Sequence, residues 1–133
     1  MVLAADTGFL ILLGTAHPRA LDLWSETRTG VHVLVLSTLS IAEYIAFHIQ
    51  RARLDQAEQF IQALEALDNV EIVPVSQDIA ALSARYRIGL GLATVDSVIL
   101  STAVTWNCEV LLTTDSTFDH DAVNNLVPVE LLA

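Results

Sequence analysis

Lysine is absent from this 133-residue sequence, and all six of its basic side chains are arginines. That absence excludes a P-loop nucleotide grip and a receiver-type phosphoacceptor site, both of which need the ammonium, and no glycine-rich phosphate loop is present either. Against the six arginines stand 16 acids, a formal net charge of −10. Such a balance argues against holding a polyanion by bulk electrostatics, and does not exclude an approach to nucleic acid through metal ions and a few placed arginines. Cysteine occurs once, as Cys108, so there is no intramolecular disulfide framework, and no Cys/His spacing matches a zinc site. A reduced, intracellular protein is the expectation. Long apolar runs are missing too. The longest early one, Gly8 to Gly14, is too short to span a bilayer and has no basic residue ahead of it to make a signal peptide. The expected setting is the cytoplasm, with no membrane partner.

What is present is apolar surface in a regular pattern. Hydrophobic residues make up 53% of the chain, slightly more than one core needs, which leaves some for an interface. The length suits one domain. Val2-Leu3-Ala4-Ala5 reads as a first, central strand stopped by Asp6, and Phe9 to Leu13 as a short apolar helix. Pro18 opens a second helix that buries Ala20, Leu21, Leu23 and Trp24 and ends at Gly30. Residues 31–36 form a second strand. Ser37 or Ser40 starts a third helix with Ile41, Ile45 and Ile49 on one face. Beyond a break at Arg51, Arg53 and Asp55, a fourth helix carries a stripe from Leu54 to Leu67. Residues 70–75 are a third strand, and Ser76 caps a helix presenting Ile79, Leu82 and Tyr86. Ile88 to Gly91 reads as a loop. Thr94 is the expected N-cap of the helix containing Asp96, and Val110 to Thr114 is a buried strand that ends at Asp115. After the polar run Asp121 to Asn125, Leu126 to Val129 is a short edge strand. Strands alternating with helices predict right-handed crossovers, hence a single-domain α/β/α sandwich on a parallel sheet.

Four acids stand at the strand-to-helix side of their units. Taken singly, each has a structural explanation. Asp6 is a turn residue, and Glu43 completes an S-x-x-E capping box with Ser40. Asp96 favours a helix dipole, and Asp115 is an N-cap for the turn at Ser116. Together they predict a negatively charged crevice outside the carboxyl ends of the strands. Crowded carboxylates repel one another unless a cation is present. Oxygen donors without His or Cys suit Mg²⁺ or Mn²⁺, and two such ions are suited to in-line phosphodiester hydrolysis.

In this pattern the chain resembles the PIN-domain ribonucleases, and in size the small VapC-type toxins of toxin–antitoxin pairs. The resemblance lies in Asp6 within AADTGFL, Glu43 within STLSIAEY, Asp96 within LATVDSVILSTAV and Asp115 within LLTTDSTFD. It implies a PIN-like fold and Mg²⁺- or Mn²⁺-dependent endonucleolytic cleavage of RNA by a metal-activated water. It makes Asp6, Glu43, Asp96 and Asp115 the metal-binding catalytic set, and it implies a homodimer inhibited by a cognate antitoxin. Thr7 and Thr113 fall where the family often has a hydroxyl near the site, although each also reads simply as a strand or turn residue. Gly8 and Ser97 depart from the family's usual small polar residue and alanine. Asp119 reads as a solvated loop acid. The pairs Arg51/Arg53 and Arg85/Arg87 are the candidate phosphate grips, or else ordinary surface charges. The competing reading is a catalytically silent PIN-like module that serves as a binding partner.

Overall fold

The structure is a computed structural model that describes residues 1–132. Five strands, β1 (Val2–Ala5), β2 (Val33–Ser37), β3 (Val70–Val73), β4 (Val110–Thr113) and β5 (Val129–Leu131), form one sheet in the order β3-β2-β1-β4-β5. Every pairing is parallel. Seven helices cover it: α1 (Thr7–Gly14), α2 (Pro18–Arg28), α3 (Thr38–Ile49), α4 (Leu54–Glu65), α5 (Gln77–Leu90), α6 (Thr94–Thr105) and α7 (Asp121–Asn124). This is the α/β/α sandwich expected from the sequence.

The strand sequences explain the three layers. Side chains alternate across a strand, so Leu3 and Ala5 of β1 enter one core with Phe9, Leu10, Leu23 and Tyr44. Ala4 between them enters the other, with Val98, Ile99, Leu100 and Phe118. Parallel strands buried on both faces need continuous apolar runs, and VLAA, VLVLS and VLLT supply them.

The topology fixes where a site forms. From β1 the chain moves outward to β2 and β3, then returns across β1 to β4, so β1 and β4 are neighbours at the point of reversal. A crevice opens at such a switch point, beyond the carboxyl ends of the strands. Because α6 leads into β4, its first turn lies at that same edge.

Several local expectations are corrected. Ser37, not Ser40, caps α3, its hydroxyl accepting the Leu39 N–H at 3.1 Å. Ser40 therefore lies inside the helix, with its buried hydroxyl unpartnered among the described residues, and the capping box with Glu43 does not form. The buried line of α3 is Ser40 and Tyr44, while Ile49 is exposed. Leu21 of α2 is exposed as well. Residues 88–90 are not a loop: α5 continues through them to Gly91, whose left-handed φ of 70° closes the helix. There the chain bends by 118° into α6. Ala93 occupies the cap position of α6, leaving Thr94 as its first helical residue. Strand β2 starts later than expected because Val31 is exposed in the turn, and β5 begins at Val129 beyond Pro128. Within the polar run after Asp119, residues 121–124 form the short α7. Among the described residues, no single helix is long and apolar enough to cross a membrane.

Candidate functional site

Asp6 follows the last residue of β1 and caps α1, accepting the Phe9 N–H at 3.2 Å. It is only 6% exposed. Burial raises its pKa above the ordinary carboxyl value and Asp115 adds to the rise, while bonds from the Thr113 hydroxyl and from the Phe9 and Thr114 backbones pull the other way. The Thr113 hydroxyl, fully buried at the end of β4, donates to Asp6 Oδ2 at 2.5 Å. Its oxygen also accepts the Asp115 N–H at 2.9 Å. Asp115 in turn caps a single 3-10 turn, Ser116–Phe118, through the Thr117 N–H at 2.9 Å.

Glu43, released from any capping role, accepts the Thr7 hydroxyl at 2.6 Å and so ties α3 to the first turn of α1. Both threonines thus bind carboxylates rather than serving only as strand or turn residues. Asp96 occupies the first turn of α6. Its pKa is pushed up to about 6, first by burial and then by the charges of Asp115, Asp6 and Glu43. Every charge that acts on Asp96 is therefore another carboxylate. The structure brings together, at one edge of the sheet, the four acids that the sequence offered from four separate segments.

Asp119 stands apart, bonded to Asn124 at 3.2 Å on the exposed loop. Of the arginines, Arg51 lies 3.5 Å over the Phe47 ring and donates to the Phe47 carbonyl at 2.9 Å. Arg51 itself lies in the turn just beyond the end of α3. Arg87 donates to the Thr94 hydroxyl, beside the first turn of α6. Arg53 occupies the cap position of α4, and Arg85 is exposed on α5.

The donor set is wholly carboxylate, with threonine hydroxyls behind it, which is the chemistry of a hard divalent cation. As the side chains stand, no three His, Cys, Asp or Glu among the described residues close on a single point. The charges of Asp115, Asp6 and Glu43 nonetheless reach Asp96 and add to the rise in its pKa that burial begins. The residues fit a divalent ion by charge and donor type.

What sequence reading missed is the pairing of Gly8 with Thr114. A Cβ on Gly8 would fall 1.9 Å from the Thr114 hydroxyl oxygen, so only glycine lets that side chain lie against α1. The bare Gly8 beside Asp6 and Thr7 was the available signal.

The fold recurs in solved structures. A toxin–antitoxin complex from Klebsiella pneumoniae matches with a TM-score of 0.74 and 22% identity, covering 98% of each chain. VapBC2 from Rickettsia felis, bound to a promoter DNA fragment, matches with a TM-score of 0.76 and 18% identity over 100% of both chains. VapBC-1 from nontypeable Haemophilus influenzae matches at 0.73 and 20%, covering 99% of this chain and 98% of that one. At these identities the likeness is one of fold. A search of curated protein sequences finds no match. A family model for the PIN domain matches residues 4–123, nearly the whole length, and the chain belongs to the PIN domain family.

Proposed function

We propose that this chain is a metal-dependent endoribonuclease, with Asp6, Glu43, Asp96 and Asp115 as its catalytic and metal-binding set and Mg²⁺ or Mn²⁺ as its cofactor. The observation that carries the reading is the setting of Asp96: burial first, and then the charges of three further carboxylates from three other segments, push its pKa to about 6. A fold keeps such a costly arrangement where a cation normally offsets it. The divalent ion supplies Lewis acidity and a hydrolytic water for phosphodiester cleavage. The protein's own part is positional. The Thr113 hydroxyl fixes Asp6 against Asp115, and the Thr7 hydroxyl fixes Glu43 against α1.

The biological role is that of the toxin in a toxin–antitoxin pair, acting in the cytoplasm as a single-domain homodimer. The relatives in toxin–antitoxin complexes support it. So does an apolar cavity of about 260 Å³ lined by Leu10, Leu13, Leu21, Trp24, Tyr44 and Phe60, a surface suited to an antitoxin segment.

The test is cleavage of a mixed-structure RNA by the purified chain in Mn²⁺, Mg²⁺ and EDTA, beside Asp96→Asn. Cutting that needs metal and is lost in the variant is the expected result. A folded protein that neither cuts RNA nor binds Mn²⁺ overturns the nuclease reading in favour of a silent interaction module.

A further inference from the structure

Thr7, Thr113 and Thr114 flank the acids at the ends of β1 and β4, and two of them are committed. Thr7 gives its hydroxyl proton to Glu43, and Thr113 gives its own to Asp6 while accepting from Asp115. Thr114 differs. It is exposed, and its hydroxyl has no intramolecular hydrogen bond among the described residues. It is not loosely placed, however. Its backbone N–H acts on Asp6, and its neighbours in sequence are Thr113 and Asp115. Its oxygen lies where a Cβ of residue 8 would otherwise stand, 1.9 Å from that ideal position, against the first turn of α1.

We propose that Thr114 is a substrate-binding residue whose hydroxyl donates to a non-bridging oxygen of the RNA phosphate that enters the carboxylate cluster. This rests on the nuclease reading above and adds to it a contact made by this chain's own combination of Gly8 and Thr114. The chemistry follows from what surrounds the hydroxyl. A ligand that approaches four carboxylates and carries negative charge needs neutral donors besides any cation, because a further acid would repel it. A threonine hydroxyl is both donor and acceptor, and of Thr7, Thr113 and Thr114 only the last has an uncommitted proton, whereas Thr94 on α6 already engages Arg87. Held against α1 by the missing Cβ, it meets the phosphate with little ordering left to do, which is the advantage of a preorganised donor.

The experiment compares wild type, Thr114→Val and Thr114→Ser on a fluorogenic single-stranded RNA oligonucleotide of mixed sequence in Mn²⁺. Mn²⁺ affinity without RNA and melting temperature are measured alongside. A hydrogen bond to a charged oxygen is worth about tenfold or more, so Thr114→Val should lose about that in kcat/KM. Its Mn²⁺ affinity and melting temperature should stay those of wild type, and Thr114→Ser should keep most of the rate. Wild-type cleavage by Thr114→Val overturns the proposal. So does a loss that tracks weakened Mn²⁺ binding, because the hydroxyl would then serve the metal. A folded wild-type chain that neither cuts RNA nor binds Mn²⁺ overturns the nuclease reading, and this contact with it.

Discussion

The Thr113 hydroxyl reaches Asp6 Oδ2 at 2.5 Å across 107 positions of sequence. Through the Asp115 N–H, which it accepts at 2.9 Å, it also sets how far apart those two acids stand. Thr113→Val keeps the volume and removes both bonds inside a fully buried setting. Stability should fall by about 1–3 kcal/mol, the cost of stranding buried polar groups, and RNA cleavage by roughly tenfold or more from misplacement. Thr113→Ser should recover most of both. Chemical denaturation and cleavage rates check this, and a valine variant with unchanged rate removes Thr113 from the site.

Asp96 is the acid whose charge the fold opposes. Its carboxyl supports folding fully below its ordinary pKa of 3.8, and that support is lost as pH rises through about 6, the folded value. Asp96→Asn abolishes the titration. In EDTA at about pH 7.5, the variant should be more stable than wild type by about 1–2 kcal/mol, a figure reduced for partial solvent screening. The advantage should shrink toward about pH 4. Parallel melting curves for the two proteins across that range would contradict the repulsion.

Divalent metal should reverse that difference. Mn²⁺ or Mg²⁺ binding to the folded carboxylate edge raises stability by mass action, about 2.7 kcal/mol at a hundredfold excess over Kd. Wild type should gain melting temperature in Mn²⁺ and lose it in EDTA, while Asp96→Asn should respond weakly. Equal gains in both proteins would assign the metal to some other group.

Ile88 is 83% exposed on α5, a large aliphatic side chain on a fully formed helix. In the proposed homodimer, Ile88 is a candidate interface residue. Ile88→Glu should change the stability of the monomer by no more than about 0.5 kcal/mol, shift the mass in light scattering from dimer to monomer, and remove any dependence of melting temperature on protein concentration. A dimer that survives the substitution puts the interface elsewhere.

The sheet and the acid positions were legible in the sequence because they rest on long-wavelength signals. Uninterrupted aliphatic runs such as VLAA and VLLT mark strands buried on both faces, and an acid directly after such a run has few places to go. The helix ends were harder to read. Ser37 and Ser40 both make good caps, and only the strand register, with Ser37 paired to Val73, decides that the chain turns at the first. At residues 88–91 the two glycines imitate a loop, but Gly89 is tolerated within α5 and only Gly91 breaks it. The roles of Thr7 and Thr113 were not readable locally, since each acts on a carboxylate carried by a distant segment. Thr114 was invisible for a related reason: its setting depends on what residue 8 lacks.

Strand β1 precedes every other described element, yet its pairing with β4 joins Leu3 to Val110 and Ala5 to Leu112. Asp6 can meet Asp115 only once the residues between them have been made, and closing so long a loop is slow and costly in entropy. A nascent or prematurely terminated chain therefore carries Asp6 and Glu43 without the partners that complete the site. The proposed active site is a property of the assembled sheet, existing only when β4 lies beside β1.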